Sequence, residues 1–378
     1  MSSFRVATIR GVAIEVHWSW LLIFGVLSWM LATSYYPDQY DGWSGAAYWF
    51  VGIGSAFLLF VTVLIHEMAH ALVALRRGLP VPRITLFIFG GVSHLARQPR
   101  SAGEEFKIAA AGPATSLVLA LVTGLGAWLA VDRQIHTEAT LTYLAVVNAM
   151  LAIFNTLPGF PLDGGRVLRS IAWRRTKSFR QATRFAAFTG QGVGFVMMVG
   201  GGILLLVGSL FQGIWLILIG WFLVGAARGE IESLQVETIL RDLSARDVMR
   251  ENWPTATPGT PVSVLVDEMM IGQGERAVIV ALGGAVQGIL TVNDVRRIPR
   301  HQWSEIPAQT VMTRREDVTT VGLTTPAFQV MMMMAEEGLN QIPVIEDGRM
   351  VGLISRRELI DRLRLAESLT PDKAPDGS

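Results

Sequence analysis

The 378-residue sequence contains no cysteine, and only 17% of its residues are charged. Without cysteine there is neither a disulfide framework nor a thiolate metal site, so any metal must sit on histidine and carboxylate ligands. A soluble domain carries about 25% charged residues. The shortfall here, with 51% hydrophobic residues and a net charge of +1, excludes an ordinary soluble enzyme and a disordered or nucleic-acid-coating chain. No direct nucleic-acid partner is expected. The first residues, MSSFRVATIRGVAIEVHW, lack an apolar stretch followed by a small-residue cleavage site, so no removable leader is expected.

The near-neutral total conceals a division. Residues 1–227 carry 16 Lys and Arg against 9 Asp and Glu, whereas residues 228–378 carry 16 against 22. This suggests a membrane domain over 1–227, a linker over 228–243, and a soluble domain beyond it. A transmembrane helix needs about 20 apolar residues. Runs of that kind occur near 18–33, 48–75, 107–130 and 141–161, and two more fall within 186–227, broken only by SLFQG at 209–213 and read as a tight helical hairpin. The expected fold class is a polytopic α-helical membrane protein of six spans, with a soluble α/β part after it.

Positive charge in the short loops sets orientation. Arg76, Arg77, Arg83, Arg97, Arg100 and Lys107 lie between spans two and three, and seven more Lys and Arg lie between spans four and five. The alternate loops carry almost none. A multi-pass protein of the cell membrane with both termini cytoplasmic is expected. Segment 83–95, RITLFIFGGVSHL, is short, β-branched, aromatic and interrupted by Gly90-Gly91, which predicts a strand or hairpin at the membrane face; a surface loop is the alternative.

Within the second span, VTVLIHEMAHALVALRR places His66 and His70 on one helical face with Glu67 directly after the first. This is H-E-x-x-H, in which two imidazoles bind Zn²⁺ and the glutamate serves as general base. Ionisable groups in an apolar span cost several kcal/mol and mark a functional site; a histidine pair bonded to neighbouring helices beside a protonated Glu67 is the structural alternative. A catalytic zinc takes three protein ligands. His17, His94, His136 and His301 are poorly placed, and Asp163, in NTLPGFPLDGGR, is the outstanding carboxylate. An N-cap role for a helix beginning near Arg166 is compatible with it.

HEMAH together with Asn155, Pro158 and Leu162-Asp163-Gly164 in the pattern N-x-x-P-x-x-x-LDG resembles the site-2 protease family of intramembrane zinc metalloproteases, over roughly residues 10–227. The resemblance implies one Zn²⁺ per chain on His66, His70 and Asp163, with Glu67 as catalytic base. It also implies that Asn155 donates to the developing oxyanion and that Phe89, Gly90, Gly91 and Val92 belong to a substrate-holding strand. The substrate class it implies is a transmembrane regulator, such as an anti-sigma or pro-sigma factor, cut by regulated intramembrane proteolysis. GPATS at 112–116 departs from the family's G-P-x-x-N: Ser116 stands where asparagine is usual, which bears on helix packing or substrate positioning.

The soluble part repeats itself at an offset of 63 to 65 residues, over 244–303 and 304–365. DVM pairs with TVM, Pro261 with Pro326, and GILTVND with GLISRRE; a polar tail, 366–378, follows and is expected to be disordered. The two units resemble cystathionine-β-synthase (CBS) domains. That resemblance implies an adenine nucleotide, ATP or AMP, on Thr291 and Asp294 in one cleft, with Ser355 in the other, where Glu358 replaces the usual aspartate. A module that only dimerises the chain, giving a homodimer, is the alternative. Because CBS pairs also govern ion transporters and channels, a CBS-regulated metal-ion path through the bilayer is the competing function.

Overall fold

A computed structural model describes residues 3–88, 90–94, 97–131, 134–283 and 285–369. Phe89 and residues 370–378, most of the tail, lie outside the described residues. The chain divides into two compact units, Met1–Glu232 and Ser233–Ser378.

The first unit contains six helices long and apolar enough to cross a membrane: α1 (Ser19–Gln39), α2 (Gly45–Arg76), α3 (Ala102–Ala130), α4 (Ile135–Thr156), α6 (Phe179–Leu206) and α7 (Leu210–Arg241). A shorter helix, α5 (Asp163–Thr176), follows the fourth span. Serines cap three of these helices. Ser44, Ser101 and Ser178 accept from the backbone N–H groups of Ala47, Glu104 and Gln181 at 3.2, 3.3 and 3.3 Å, which satisfies donors left free in a first helical turn. Only three residues join α6 to α7, the expected hairpin, and Gly194 packs against the Gly220 carbonyl so closely that the backbones themselves meet. Large apolar side chains remain on the outside, among them Phe188, Trp128 and Leu206. In water this would be an aggregation surface; in a bilayer it faces lipid. Residues 228–241, expected as linker, are helix, because α7 runs on to Arg241.

The expected hairpin forms as β3 (Arg83–Phe87) and β4 (Gly90–His94), but it is half of a larger sheet. β1 (Ser3–Ile9) and β2 (Val12–His17) turn about Arg10-Gly11, both at positive φ as a two-residue hairpin turn requires, and β2 runs parallel to β3. The order is β1-β2-β3-β4. Val12 and Ile84 from the sheet, Ala71 and Ala74 from α2, and Ile108 from α3 form one buried core. The sheet is thus fastened to the helix that carries HEMAH.

In the second unit, β5 (Thr255–Ala256), β6 (Ala277–Leu282), β7 (Ala285–Thr291) and β8 (Thr313–Arg314) form one sheet in that order. β9 (Val321–Gly322), β10 (Gln341–Glu346) and β11 (Arg349–Ser355) form another. Each contains a parallel pair followed by a hairpin, and the hairpin registers slip at corresponding places, between Val280 and Ala281 and between Val344 and Ile345. The duplication read from sequence extends to this irregularity.

Candidate metal centre

The ion-pairing face of α2 is buried: His66 and His70 are 3% and 4% exposed. The chain breaks after α4, and α5 begins at Asp163 itself, three residues before the expected start. This turns the Asp163 carboxylate back toward α2. Asp163 Oδ2 lies 3.2 Å from His66 Nε2 and 3.1 Å from His70 Nε2, and the two Nε2 atoms are 3.3 Å apart. Three ligand atoms thus form a nearly equilateral triangle, and the cluster can hold a metal ion. The size is informative. Bonds of about 2.0–2.1 Å to a tetrahedral Zn²⁺ put neighbouring ligand atoms about 3.3 Å apart.

The outer nitrogens of both rings are engaged. His70 Nδ1 lies 2.7 Å from the Ile108 carbonyl, which can only accept, so Nδ1 carries the hydrogen and Nε2 of the neutral ring is a bare acceptor. That acceptor faces a carboxylate oxygen in a buried place, an arrangement a cation satisfies. His66 Nδ1 lies 2.8 Å from Ser116 Oγ, which is fully buried. Ser116 was expected to bear on helix packing or substrate positioning; it touches the imidazole of a metal-ligand candidate.

Sequence reasoning also passed over Gly112. A Cβ there would fall on His70 Nε2 and lie 2.5 Å from His66 Nε2. Only glycine lets α3 approach the rings this closely. The position stood within GPATS, but nothing in the sequence says which face of α3 meets α2.

Glu67 points from α2 toward β4. Ser93 Oγ donates to Glu67 Oε2 at 2.7 Å, with the Glu67 carbonyl at 3.3 Å. Residues 91 and 93 share one face of the strand, and a Cβ on Gly91 would fall on Glu67 Cγ and stand 3.1 Å from Cδ. The structure therefore brings Gly91 against Glu67, while Val92, on the opposite face, is 42% exposed. Ser93 was missed, because the resemblance reached only Phe89 to Val92, although strand alternation places it on the face of Gly91. Gly90 pairs with Phe87 at the start of β4. The Asn155 amide, expected to donate to a developing oxyanion, donates back along α4 to the Leu151 carbonyl at 3.1 Å.

Behind Asp163, α5 is anchored by Arg169. Its guanidinium donates to the fully buried Glu105 of α3 and to Glu230 of α7 at 3.1 Å, and lies 4.8 and 4.6 Å from the ring centres of Phe160 and Phe179.

In the second unit, Thr291 and Asp294 line a cavity of about 710 Å³, and Ser355 and Glu358 line another of about 720 Å³. Both pairs also cap helices. Thr291 donates to Asp294 Oδ2 through its hydroxyl at 2.7 Å and its N–H at 2.8 Å; Ser355 and Glu358 do the same. Glu358 has a further neighbour in Arg250, 3.7 Å away, whose guanidinium forks onto Glu275 at 2.9 and 2.7 Å.

Comparison with known proteins agrees with this layout. The model of Peptidase family M50 matches residues 54–133 and 129–200, and that of the CBS domain matches 245–301 and 308–365. Putative zinc metalloprotease Rip3 of Mycobacterium tuberculosis is 33% identical over 95% of this chain and 93% of its own. Putative zinc metalloprotease sll0528 of Synechocystis is 31% identical over 96% of each, and Zinc metalloprotease MJ0392 of Methanocaldococcus jannaschii is 27% identical over 97% of each. The fold and site define a multi-pass membrane metalloprotease. The chain belongs to peptidase family M50, the site-2 proteases, in the form that carries a tandem CBS pair.

Proposed function

We propose that the chain is an intramembrane endopeptidase with zinc on His66, His70 and Asp163 and with Glu67 as its catalytic base. The triangle of Nε2, Nε2 and Oδ2 atoms, 3.1–3.3 Å on each side, is the observation that carries this reading. Zinc bound there supplies a Lewis acid able to bring the pKa of a water toward neutrality. Glu67, half-buried and oriented by Ser93, takes a proton from the attacking water and delivers it to the leaving amine. Gly91 leaves room for the Glu67 side chain against the sheet. A helical substrate must unwind to expose its peptide bond. As the edge of its sheet, β4 offers backbone donors and acceptors for strand addition beside Glu67. Asn155 supplies an oxyanion donor once its amide turns from Leu151.

The bias of positive charge toward the α2–α3 and α4–α6 connections favours a cytoplasmic face for both, and the cell membrane as location. The substrate class is the membrane-bound regulator, an anti-sigma or pro-sigma factor in particular. In the CBS pair, the cavity at Thr291 and Asp294 takes an adenine nucleotide, whereas the Ser355 cavity is bordered by Arg250 and Glu358, 3.7 Å apart. Homodimerisation through the pair is compatible with this site.

Purified protein in proteoliposomes, tested on single-span substrates as wild type and Glu67→Gln, is the deciding experiment. Cleavage by wild type alone, with equal zinc content in both, is expected. Equal cleavage refutes the base, and metal flux without cleavage in either form supports a transport path instead.

A further inference from the structure

Where α2 ends and α3 begins, on one face of the membrane unit, the two helices border an open groove of about 640 Å³. Arg76, Arg77 and Lys107 line it, and all three are exposed. No carboxylate lines the groove among the described residues, and the two acids nearest in sequence are engaged elsewhere. Glu104 accepts from the Arg100 backbone at 2.6 Å, and Glu105 is buried against Arg169. Arg76, Arg77 and Lys107 enter none of the ion pairs formed among the described residues. Val73, Ala111 and Ala114 make the groove apolar toward the interior of the spans. The small alanines leave a channel beside the helix where a longer side chain would fill it.

We propose that this groove is a binding site for an anionic phospholipid. Its phosphate lies among Arg76, Arg77 and Lys107, and one acyl chain follows Val73, Ala111 and Ala114 into the bilayer. Three unopposed cations at the end of two spans match a phosphodiester, and the apolar groove running away from them matches a chain that a free phosphate lacks. The site is separate from the metal centre yet built on the same pair of helices. Ile108 and Ser116 of α3 hold the outer nitrogens of His70 and His66 on α2, so a lipid bridging the two helices fixes the register on which both imidazoles depend. Nothing in this inference requires the protease to be active.

The test uses the full chain in phosphatidylcholine nanodiscs doped with phosphatidylglycerol, with retained lipid counted by native mass spectrometry after transfer to detergent. Each cation near an anionic head group contributes a factor of about five, so removing three lowers retention on the order of 100-fold. The expected result is selective phosphatidylglycerol retention by wild type, lost in R76Q/R77Q/K107Q and reduced in Ala114→Phe, which keeps every charge but fills the groove. The anionic lipid also slows zinc release to a chelator in wild type and not in either variant. Equal retention by wild type and the triple variant, or protection by inorganic phosphate alone at millimolar concentration, overturns the proposal. Selective phosphatidylglycerol retention by wild type, lost in the triple variant, in a preparation that cleaves no substrate counts against the protease assignment and supports the lipid site.

Discussion

Ser116 Oγ sits 2.8 Å from His66 Nδ1 with no exposure to solvent. A hydroxyl sets the ring whose other nitrogen faces Asp163. Partners of metal-binding imidazoles typically contribute 10–100-fold to affinity. Ser116→Ala is expected to weaken zinc by that factor, measured by competition with a chelator. Unchanged affinity would show that the ring is held by packing alone.

Gly112 yields a sharper expectation. Alanine there places a methyl group 2.5 Å from His66 Nε2 and 2.6 Å from His70 Cε1, so the imidazoles must leave the triangle or α3 must retreat. Gly112→Ala should lose stoichiometric zinc. Gly124→Ala on the same helix, where a Cβ meets only Ala145 at an ordinary 3.7 Å, should keep it. Matching zinc contents in the two variants would contradict the geometry.

Arg169 and Glu105 test the support behind Asp163. Deleting one partner of a buried pair costs about 3–5 kcal/mol because the other is left uncompensated. Arg169→Gln should therefore lower thermal stability strongly, and Glu105→Gln added to it should restore part of the loss. Glu230, 40% exposed at its side chain, contributes less. An additive double variant would argue against coupling.

How much of this was legible in the sequence depends on the range of the interaction. His66, Glu67 and His70 lie within one and a half turns of helix, so spacing alone aligns them. The six spans follow from apolar length, and the internal repeat from recurrence. Asp163 was accessible because few carboxylates occur in the membrane part. The β1–β2 hairpin was missed although its alternation and Arg10-Gly11 turn were present, since its partner β3 lies some 70 residues on. Gly112 and the Ile108 carbonyl depend on which face of α3 meets α2, which helical periodicity does not determine, and strand alternation puts Ser93 on one face with Gly91 without saying that this face meets Glu67. The reading of Thr291 and Asp294 as ligand contacts overlooked a local role: a hydroxyl followed three residues later by a carboxylate is also a helix cap.

The same device gives a pH dependence at Ser244 and Asp247. Hydrogen bonds from the Ser244 hydroxyl and backbone N–H hold the Asp247 carboxyl below its ordinary value. A carboxyl depressed in the folded state stabilises it above the unfolded pKa, about 3.9, and that contribution disappears as pH falls through the lower folded value. The stability difference between wild type and Asp247→Asn, followed by hydrogen exchange near residues 244–248, should therefore be full at pH 5.5 and shrink below pH 4. A difference independent of pH would remove the carboxylate from the account.

The most direct measurement is the zinc content of purified protein, wild type against Asp163→Ala, with folding followed in parallel by circular dichroism. One zinc per chain in wild type, falling at least tenfold in the variant while helicity is retained, is the predicted result. Stoichiometric zinc in Asp163→Ala, or none in catalytically active wild type, would contradict a centre built from His66, His70 and Asp163.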